Sequence, residues 1–329
     1  MNPFEFQRAD RIDVAIHAIS QSAHAKFLAG GTNLIDLMKD GVEKPSRLVD
    51  VSHLPFEQIE MLPDGGLRLG ALARNSNTAN HPLVRKNYPL LSQAILSGAS
   101  PQLRNMATNG GNLMQRTRCF YFMDTGFSEC NKRAPGSGCA AIGGFNRIHA
   151  ILGASDQCIA THPSDMCVAL AALDAVVRVR GPKGERTIPI GDFHRLPGNT
   201  PQMDTNLQPD ELIISIDLPQ SPFANSSHYL KIRDRSSYEF ALVSVAAALD
   251  HDGNTIRAAR IALGGVAHKP WRSKRAENLL SGQQLTVDTF QRAAEEAVRG
   301  AIPHRHNEYK IELAKRGVVR ALCVAGGVA

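Results

Sequence analysis

Residues 25–34 read AKFLAGGTNL, and the way they fold decides how the rest of the chain is assembled. KFLA predicts a short buried strand. GGTN turns it, and LIDLMKD takes up helical spacing through Leu34, Leu37 and Met38 until Gly41 stops it. A glycine turn from strand into helix leaves unpaired N–H groups at the helix start, where they and the helix dipole favour an anion such as a pyrophosphate. The glycines let the backbone approach that anion closely. A tight turn with no ligand would have the same sequence. The stretch is neither GxGxxG nor a P-loop, so the two commonest nucleotide motifs find no support.

Outward from this unit the first half mixes helix and strand. DRIDVAIHAIS sets Ile12, Ala15, Ile16 and Ile19 at helical spacing, with Asp10 as its cap. RLVDV and LRLGAL predict strands, and PLLSQAILSGAS a helix that ends near Gly98. SDMCVALAAL predicts a helix opened by Ser164 or Asp165, AVVRVRGPKGERTIPI a hairpin turning at Pro182 to Gly184, and LIISIDL, Leu212 to Leu218, a further strand. SPFANSS, Ser221 to Ser227, is small and polar enough to separate two units. Beyond it HYLKIRD, ALVSVAAAL and RIALGG predict strands, and TFQRAAEEAVRGAI and YKIELAKRGVVRALCVA predict helices, an α+β arrangement.

Composition narrows the function. With 329 residues the chain can fill more than one hydrophobic core. It has no apolar run of the roughly 18 residues that would suggest a membrane span, and MNPFEFQRADRIDV lacks the basic and apolar regions of a secretory signal, so a cytoplasmic location is expected. The net charge of +6 is spread over scattered Lys and Arg and aromatics are only 5%, which argues against nucleic-acid binding. A basic surface facing an acidic protein partner explains the charge equally well.

A second glycine turn, ATNGGN (Ala107 to Asn112), follows a helix, and a polar turn, THPSD (Thr161 to Asp165), opens one. Taken in order, AKFLAGGTNL, LRNMATNGGNL, the SD of THPSD, YLKIRDRSSYEFALVSVAAAL and ALGGVAHKPWR resemble the FAD-binding medium subunit of the molybdenum hydroxylases, the xanthine dehydrogenase and aldehyde oxidoreductase family. The resemblance covers nearly the whole chain. It implies an α+β fold with a two-part FAD-binding domain of the vanillyl-alcohol oxidase (PCMH) type over residues 1–222, divided near residue 57. A smaller α+β C-terminal domain would follow over residues 223–329. By the same resemblance Lys26, Phe27, Leu28, Ala29, Gly30, Gly31, Thr32, Asn33 and Leu34 would wrap the FAD pyrophosphate. Ala107, Thr108, Gly111 and Asn112 would hydrogen-bond the cofactor, Asp165 would contact its sugar or pyrophosphate region, and Ile213 and Lys231 would flank the isoalloxazine ring. A lysine beside a flavin favours its anionic reduced form.

Between the GGN turn and the SD helix most of this family needs a dozen or so residues, whereas here Asn112 and Asp165 are 53 positions apart. The added segment, about 114–160, holds Cys119, Cys130, Cys139 and Cys158, four of the six cysteines. Structural zinc usually takes CxxC knuckles, and none occurs. Disulfides need an oxidising compartment. An iron–sulfur cluster needs four thiolates and tolerates varied spacing, although x10, x8 and x18 is no ferredoxin motif. On spacing alone zinc and a cluster both stay open. The resemblance implies a 4Fe-4S cluster, because RTRCFYF and CNKRAPGSGC look like the insertion of bacterial three-subunit aldehyde oxidoreductases. Pro135, Gly136 and Gly138 would pack backbone amides around its sulfides. His149 and His162 could replace a ligand, Cys167 and Cys323 are expected in the core, and His304 to His306 in a solvated loop.

The function so implied is electron transfer. A partner with the molybdenum cofactor would oxidise an aldehyde to a carboxylic acid, a small 2Fe-2S partner would pass electrons on, and FAD here would deliver them to an external acceptor. No acid, base or nucleophile for the aldehyde step is expected in this chain. A 4-hydroxybenzoyl-CoA reductase subunit, with electrons running the other way, is the rival within the family, and a zinc-stapled scaffold without flavin the rival outside it. A folded complex could also reach the periplasm on a partner's twin-arginine signal.

Overall fold

The computed structural model describes residues 1–328; Ala329, the last residue of the expected C-terminal domain, lies outside the described residues. Three sheets organise the chain. The first is parallel and small: β1 (Glu5–Arg8), β2 (Ala25–Leu28) and β3 (Arg47–Asp50) lie in the order β1-β3-β2, with Phe6 and Lys26 both opposite Leu48. The second is antiparallel, from β4 (Ile59–Met61), β5 (Leu67–Gly70), β6 (Val176–Gly181), β7 (Gly184–Pro189) and β8 (Leu212–Leu218), in the order β4-β5-β8-β6-β7. The third, also antiparallel, runs β12-β11-β10-β9 from β9 (Ser227–Ile232), β10 (Val243–Asp252), β11 (Thr255–Gly264) and β12 (Trp271–Arg272).

The strand β10 shows why VSVAAAL holds a single polar residue, the buried Ser244, and no alternation. Val243, Val245, Ala247 and Leu249 face the helices Val287–Ala297 and Tyr309–Gly326, while Ala246 and Ala248 join the core around the helices Pro89–Ser97 and Asp165–Ala172. Both faces are buried, so alternation disappears from the sequence. The alanines keep the second face thin enough for those helices to pack. Phe290, fully buried between β10 and the last helix, gains roughly 1.5–3 kcal/mol from that burial.

Some local expectations failed. The helix Ile12–Ser20 begins at an extended Arg11 whose side chain makes no capping bond, so Asp10 lies one residue too early to cap it. The short helices Asn75–Asn80, Pro82–Asn87, Pro101–Met106 and Lys274–Leu280 were not foreseen. The insertion itself is nearly all loop, with single-turn helices at Phe120–Met123 and Ala140–Gly143 and isolated bridges pairing Cys130 with Cys139 and Ser155 with Cys158.

The end of the chain reaches back to this insertion. Buried Lys310 donates from Nζ to the carbonyls of Ile148, His149 (2.9 Å) and Gly265, and Asn307 Nδ2 donates to those of His149 and Ala150, each 3.2 Å away. The His306 amide donates to Asn146 Oδ1 at 2.9 Å. His304 and His306 are therefore half-buried against the insertion while Arg305 between them stays exposed, so the loop is solvated only in part, because its main chain closes another loop.

Candidate functional site

Two glycine turns meet at the centre of the site. The first leaves the end of β2, with Gly31 at φ +72°, a left-handed backbone that a branched side chain resists. A Cβ on Gly30 would lie 2.0 Å from the Met106 carbonyl oxygen, so the first turn is pressed against the second. In the second turn Thr108 caps the helix Asn109–Leu113, its hydroxyl accepting from the Gly111 amide at 3.2 Å.

Around these turns lies a cleft with two lobes. The larger, about 560 Å³, is lined by residues 26–34 together with Thr108, Gly111 and Ile213. The smaller, about 310 Å³, is lined by Ala107, Asn112, Asp165 and Lys231. Thr32, Asn33, Gly111 and Gln115 line both. Every residue expected to touch FAD thus borders one cleft, but Ile213 and Lys231 border different lobes. Asp165 is engaged by the protein, since Tyr229 donates to one of its oxygens at 2.7 Å and Lys231 to the other at 2.8 Å. Burial, and then the Asp165 charge, push the Tyr229 hydroxyl well above its ordinary pKa, which keeps it a proton donor.

Polar side chains, several of them outside any motif, hold the cleft in shape. Asn112 accepts from Ser164 at 2.6 Å and from Gln115 at 2.8 Å and donates to Asn75 at 2.7 Å, tying the second turn to the helix Asp165–Ala172. Arg116 donates its backbone N–H to Asn33 at 2.9 Å and its side chain to Asp204 (2.9 Å) and Glu43 (2.5 Å). Asp204 also receives the buried Lys132 and lies 3.7 Å from His268 Nε2. Burial alone would raise the Asp204 carboxyl, but Lys132 and Arg116 outweigh it and hold the pKa well below the usual carboxylate range. These partners are 72 and 88 positions away from Asp204 in sequence, so no local motif could reveal them.

The four insertion cysteines collect in one apolar pocket with Leu37, Phe122, Ala141, Ile159 and Ala160. Cys119, Cys130 and Cys158 are buried and Cys139 is half-buried. Burial pushes the Cys119 thiol up to about 12, against donation from the Phe122 and Tyr121 amides, and the Cys158 thiol up to about 11, with Lys132 opposing. Buried thiols beside amide donors and a lysine suit a group that binds thiolates and displaces their protons. Among the described residues no three of these sulfurs lie within 4.8 Å of one another. Four Zn–S bonds of about 2.3 Å would hold them within roughly 4 Å, a closer spacing than these sulfurs have.

Other residues of the insertion depart from expectation. The Gly136 and Gly138 amides, expected to face sulfides, donate to Asn131 Oδ1 at 3.0 and 2.9 Å, because this turn closes around the Asn131 side chain. His149 does join the pocket, with Nε2 3.1 Å from Cys119 Sγ. His162 instead packs on His194, ring centroids 4.2 Å apart. Cys167 and Cys323 are buried in helices, as expected, and stay out of the pocket.

Residues 2–221 match the FAD binding domain in molybdopterin dehydrogenase, and residues 228–324 match the CO dehydrogenase flavoprotein C-terminal domain. Over 327 residues, 99% of each chain, the protein is 50% identical to the aldehyde oxidoreductase FAD-binding subunit PaoB of Escherichia coli (strain K12). The carbon monoxide dehydrogenase medium chain of Hydrogenophaga pseudoflava is 26% identical over 330 residues, 98% of this chain and 96% of that one. A solved structure of carbon monoxide dehydrogenase from that organism superposes with a TM-score of 0.78 at 25% identity, covering 100% of this chain and 99% of the other. The quinoline 2-oxidoreductase of Pseudomonas putida 86 shares the fold, with a TM-score of 0.76 at 24% identity over 99% of this chain and 98% of that one.

Proposed function

The chain belongs to the FAD-binding subunits of the molybdenum hydroxylases, and from that premise we propose that it is the electron-transfer subunit of an aldehyde oxidoreductase, carrying FAD and a 4Fe-4S cluster. One adjacency supports the reading: Leu37 lines the flavin cleft and also packs among the four cysteines, so the two candidate sites share a wall residue. When bound, FAD and an iron–sulfur cluster supply one-electron transfer, and FAD also supplies two-electron exchange with an external acceptor.

The chain's own residues then have defined tasks. Gly30 and Gly31 admit a diphosphate to the amides of the first turn, and Thr32, Asn33 and Gly111 border the junction of the lobes. Lys231 brings positive charge to the smaller lobe, offset by its pairing with Asp165. Cys119, Cys130, Cys139 and Cys158 ligate the cluster. The amides of Tyr121 and Phe122 donate to Cys119 and that of Ala160 to Cys158, at 3.5 Å for the latter, while Lys132 offsets the thiolate charge. The same reading divides the chain near residue 222 into FAD-binding and C-terminal parts. It assigns aldehyde oxidation to a large subunit with the molybdenum cofactor, reached through a small 2Fe-2S subunit. Phe120, Ile142 and Phe145, exposed on the insertion, offer apolar surface to such a partner.

The test is iron, sulfide, zinc and flavin content, with low-temperature EPR of the reduced protein, for the complex purified anaerobically with each cysteine replaced by Ser in turn. Loss of the cluster at Cys119, Cys130, Cys139 and Cys158, with Cys323→Ser unaffected, is the expected pattern. Zinc in place of iron, or aldehyde turnover by this chain alone, overturns the proposal.

A further inference from the structure

A second group of metal-ligating side chains lies outside the four-cysteine pocket. His162 stands in the turn before the helix Asp165–Ala172, Cys167 on the first turn of that helix, and His194 directly after the short helix Ile190–Phe193. One ligand atom from each lies within 4.8 Å of the others.

A hydrogen bond settles which ring nitrogen of His194 is bare. His194 Nε2 is 2.9 Å from the Leu113 carbonyl oxygen, which can only accept, so Nε2 carries the proton and Nδ1 keeps its lone pair. That Nδ1 is buried and, among the described residues, has no hydrogen-bond partner; His162 Nε2 is in the same condition. An unpaired buried polar atom costs about 1–3 kcal/mol. A histidine whose other nitrogen donates to a backbone carbonyl has the arrangement that metal-ligating histidines adopt. Cys167 is fully buried, with its backbone N–H held by Ser164 Oγ at 3.0 Å.

We propose that His162, Cys167 and His194 form a second metal site, separate from the four cysteines, that takes one Zn²⁺ ion with a fourth position left to water. Two imidazoles and one thiolate are a donor set for zinc and not for magnesium or calcium, which take oxygen. On binding, the Cys167 S–H bond breaks, a Zn–S bond forms and the proton leaves to solvent. The ion joins the start of the helix bearing Asp165 to the Leu113 carbonyl behind the second glycine turn, and so fixes two walls of the flavin cleft. The site does not depend on the four-cysteine pocket holding a cluster.

The experiment uses the complex with its cofactors, stripped of loosely held metal by dialysis and titrated with Zn²⁺ against a competing chelator. Zinc K-edge X-ray absorption then reads the ion's neighbours. One ion per chain with one sulfur and two imidazole nitrogens is expected, unchanged in Cys130→Ser and weakened roughly tenfold or more in Cys167→Ser and in His194→Gln. If Cys167→Ser fails to fold, His162→Gln, at a half-buried position, carries the same test, with FAD content reporting the fold. No zinc uptake, uptake indifferent to these substitutions, or a first shell of four sulfurs each overturns the site.

Discussion

The flavin cleft and the cysteine pocket are neighbours built by opposite means. The cleft is main chain: glycine turns between regular elements, with the first turn seated on a parallel sheet whose register is set by apolar strands. The pocket is a loop whose backbone groups are satisfied one at a time by side chains. Arg133 donates to the carbonyls of Phe122 (2.8 Å) and Asp124 (3.0 Å), Asn131 accepts two amides, and Lys132 holds Asp204 and the Pro201 carbonyl. Buried polar backbone must be paired in either case. The difference teaches that the cleft is vulnerable where a side chain is added and the pocket where one is removed.

Substitutions can break that contrast. The largest effect is expected from Gly30→Val, because the new side chain meets the Met106 carbonyl and forces the two turns apart; purified protein should lose its FAD. Gly143→Val, in the insertion, meets nothing within 4 Å and should leave FAD and iron at wild-type levels. Equal flavin loss in both would end the contrast.

Next comes Asp204→Asn, which leaves Lys132 buried without its charge partner and should cost about 3–5 kcal/mol near pH 7. The sign with pH follows from the depressed carboxyl. Its contribution is complete above the ordinary value of 3.8 and is lost as pH falls below it toward the lower folded value. Urea unfolding midpoints of wild type and variant should therefore converge below about pH 4. A gap that stays constant into acid would show that the carboxylate charge is not what matters.

Asn131→Ala removes the acceptor shared by the Gly136 and Gly138 amides and should loosen that turn by about 1–3 kcal/mol. Faster hydrogen exchange at those two amides, with FAD content unchanged, is the expected reading. Least should come from Lys26→Ala: the lysine is half exposed and 3.8 Å from Glu43, so folding stability should move by about 1 kcal/mol or less in a thermal melt.

Much of the fold was legible where a pattern is local. LIISIDL became β8 with both ends as expected, since a run rich in isoleucine and leucine beside Pro219 leaves little choice, and Ser164 caps its helix as the SD pair suggested. The helix Asn75–Asn80 was illegible because NSNTAN has no apolar period. It forms because Asn75, Thr78 and Ala79 are buried, with Asn75 Nδ2 and Thr78 Oγ1 each 3.1 Å from Asn109 Oδ1. In the site the same division holds. Glycine turns and clustered cysteines announce themselves, whereas Glu43, Arg116 and Asp204 are ordinary surface types in sequence and become a half-buried network only when distant loops meet. Gly136 and Gly138 were misread because a nearby asparagine competes for the same amides.

The hook made by Asn307 and Lys310 also sets an order in time. A chain leaves the ribosome from its N-terminus, so residues 114–160 are made long before the segment that holds the carbonyls of Ile148, His149 and Ala150. Until the last helix arrives, the cysteine loop is open along one side. On the proposed reading, delivery of a cluster to that loop is therefore expected late, on a nearly finished chain. Chains stopped before Asn307 should be cut by protease within residues 140–155 while the full-length protein resists, and equal resistance in both would remove the ordering.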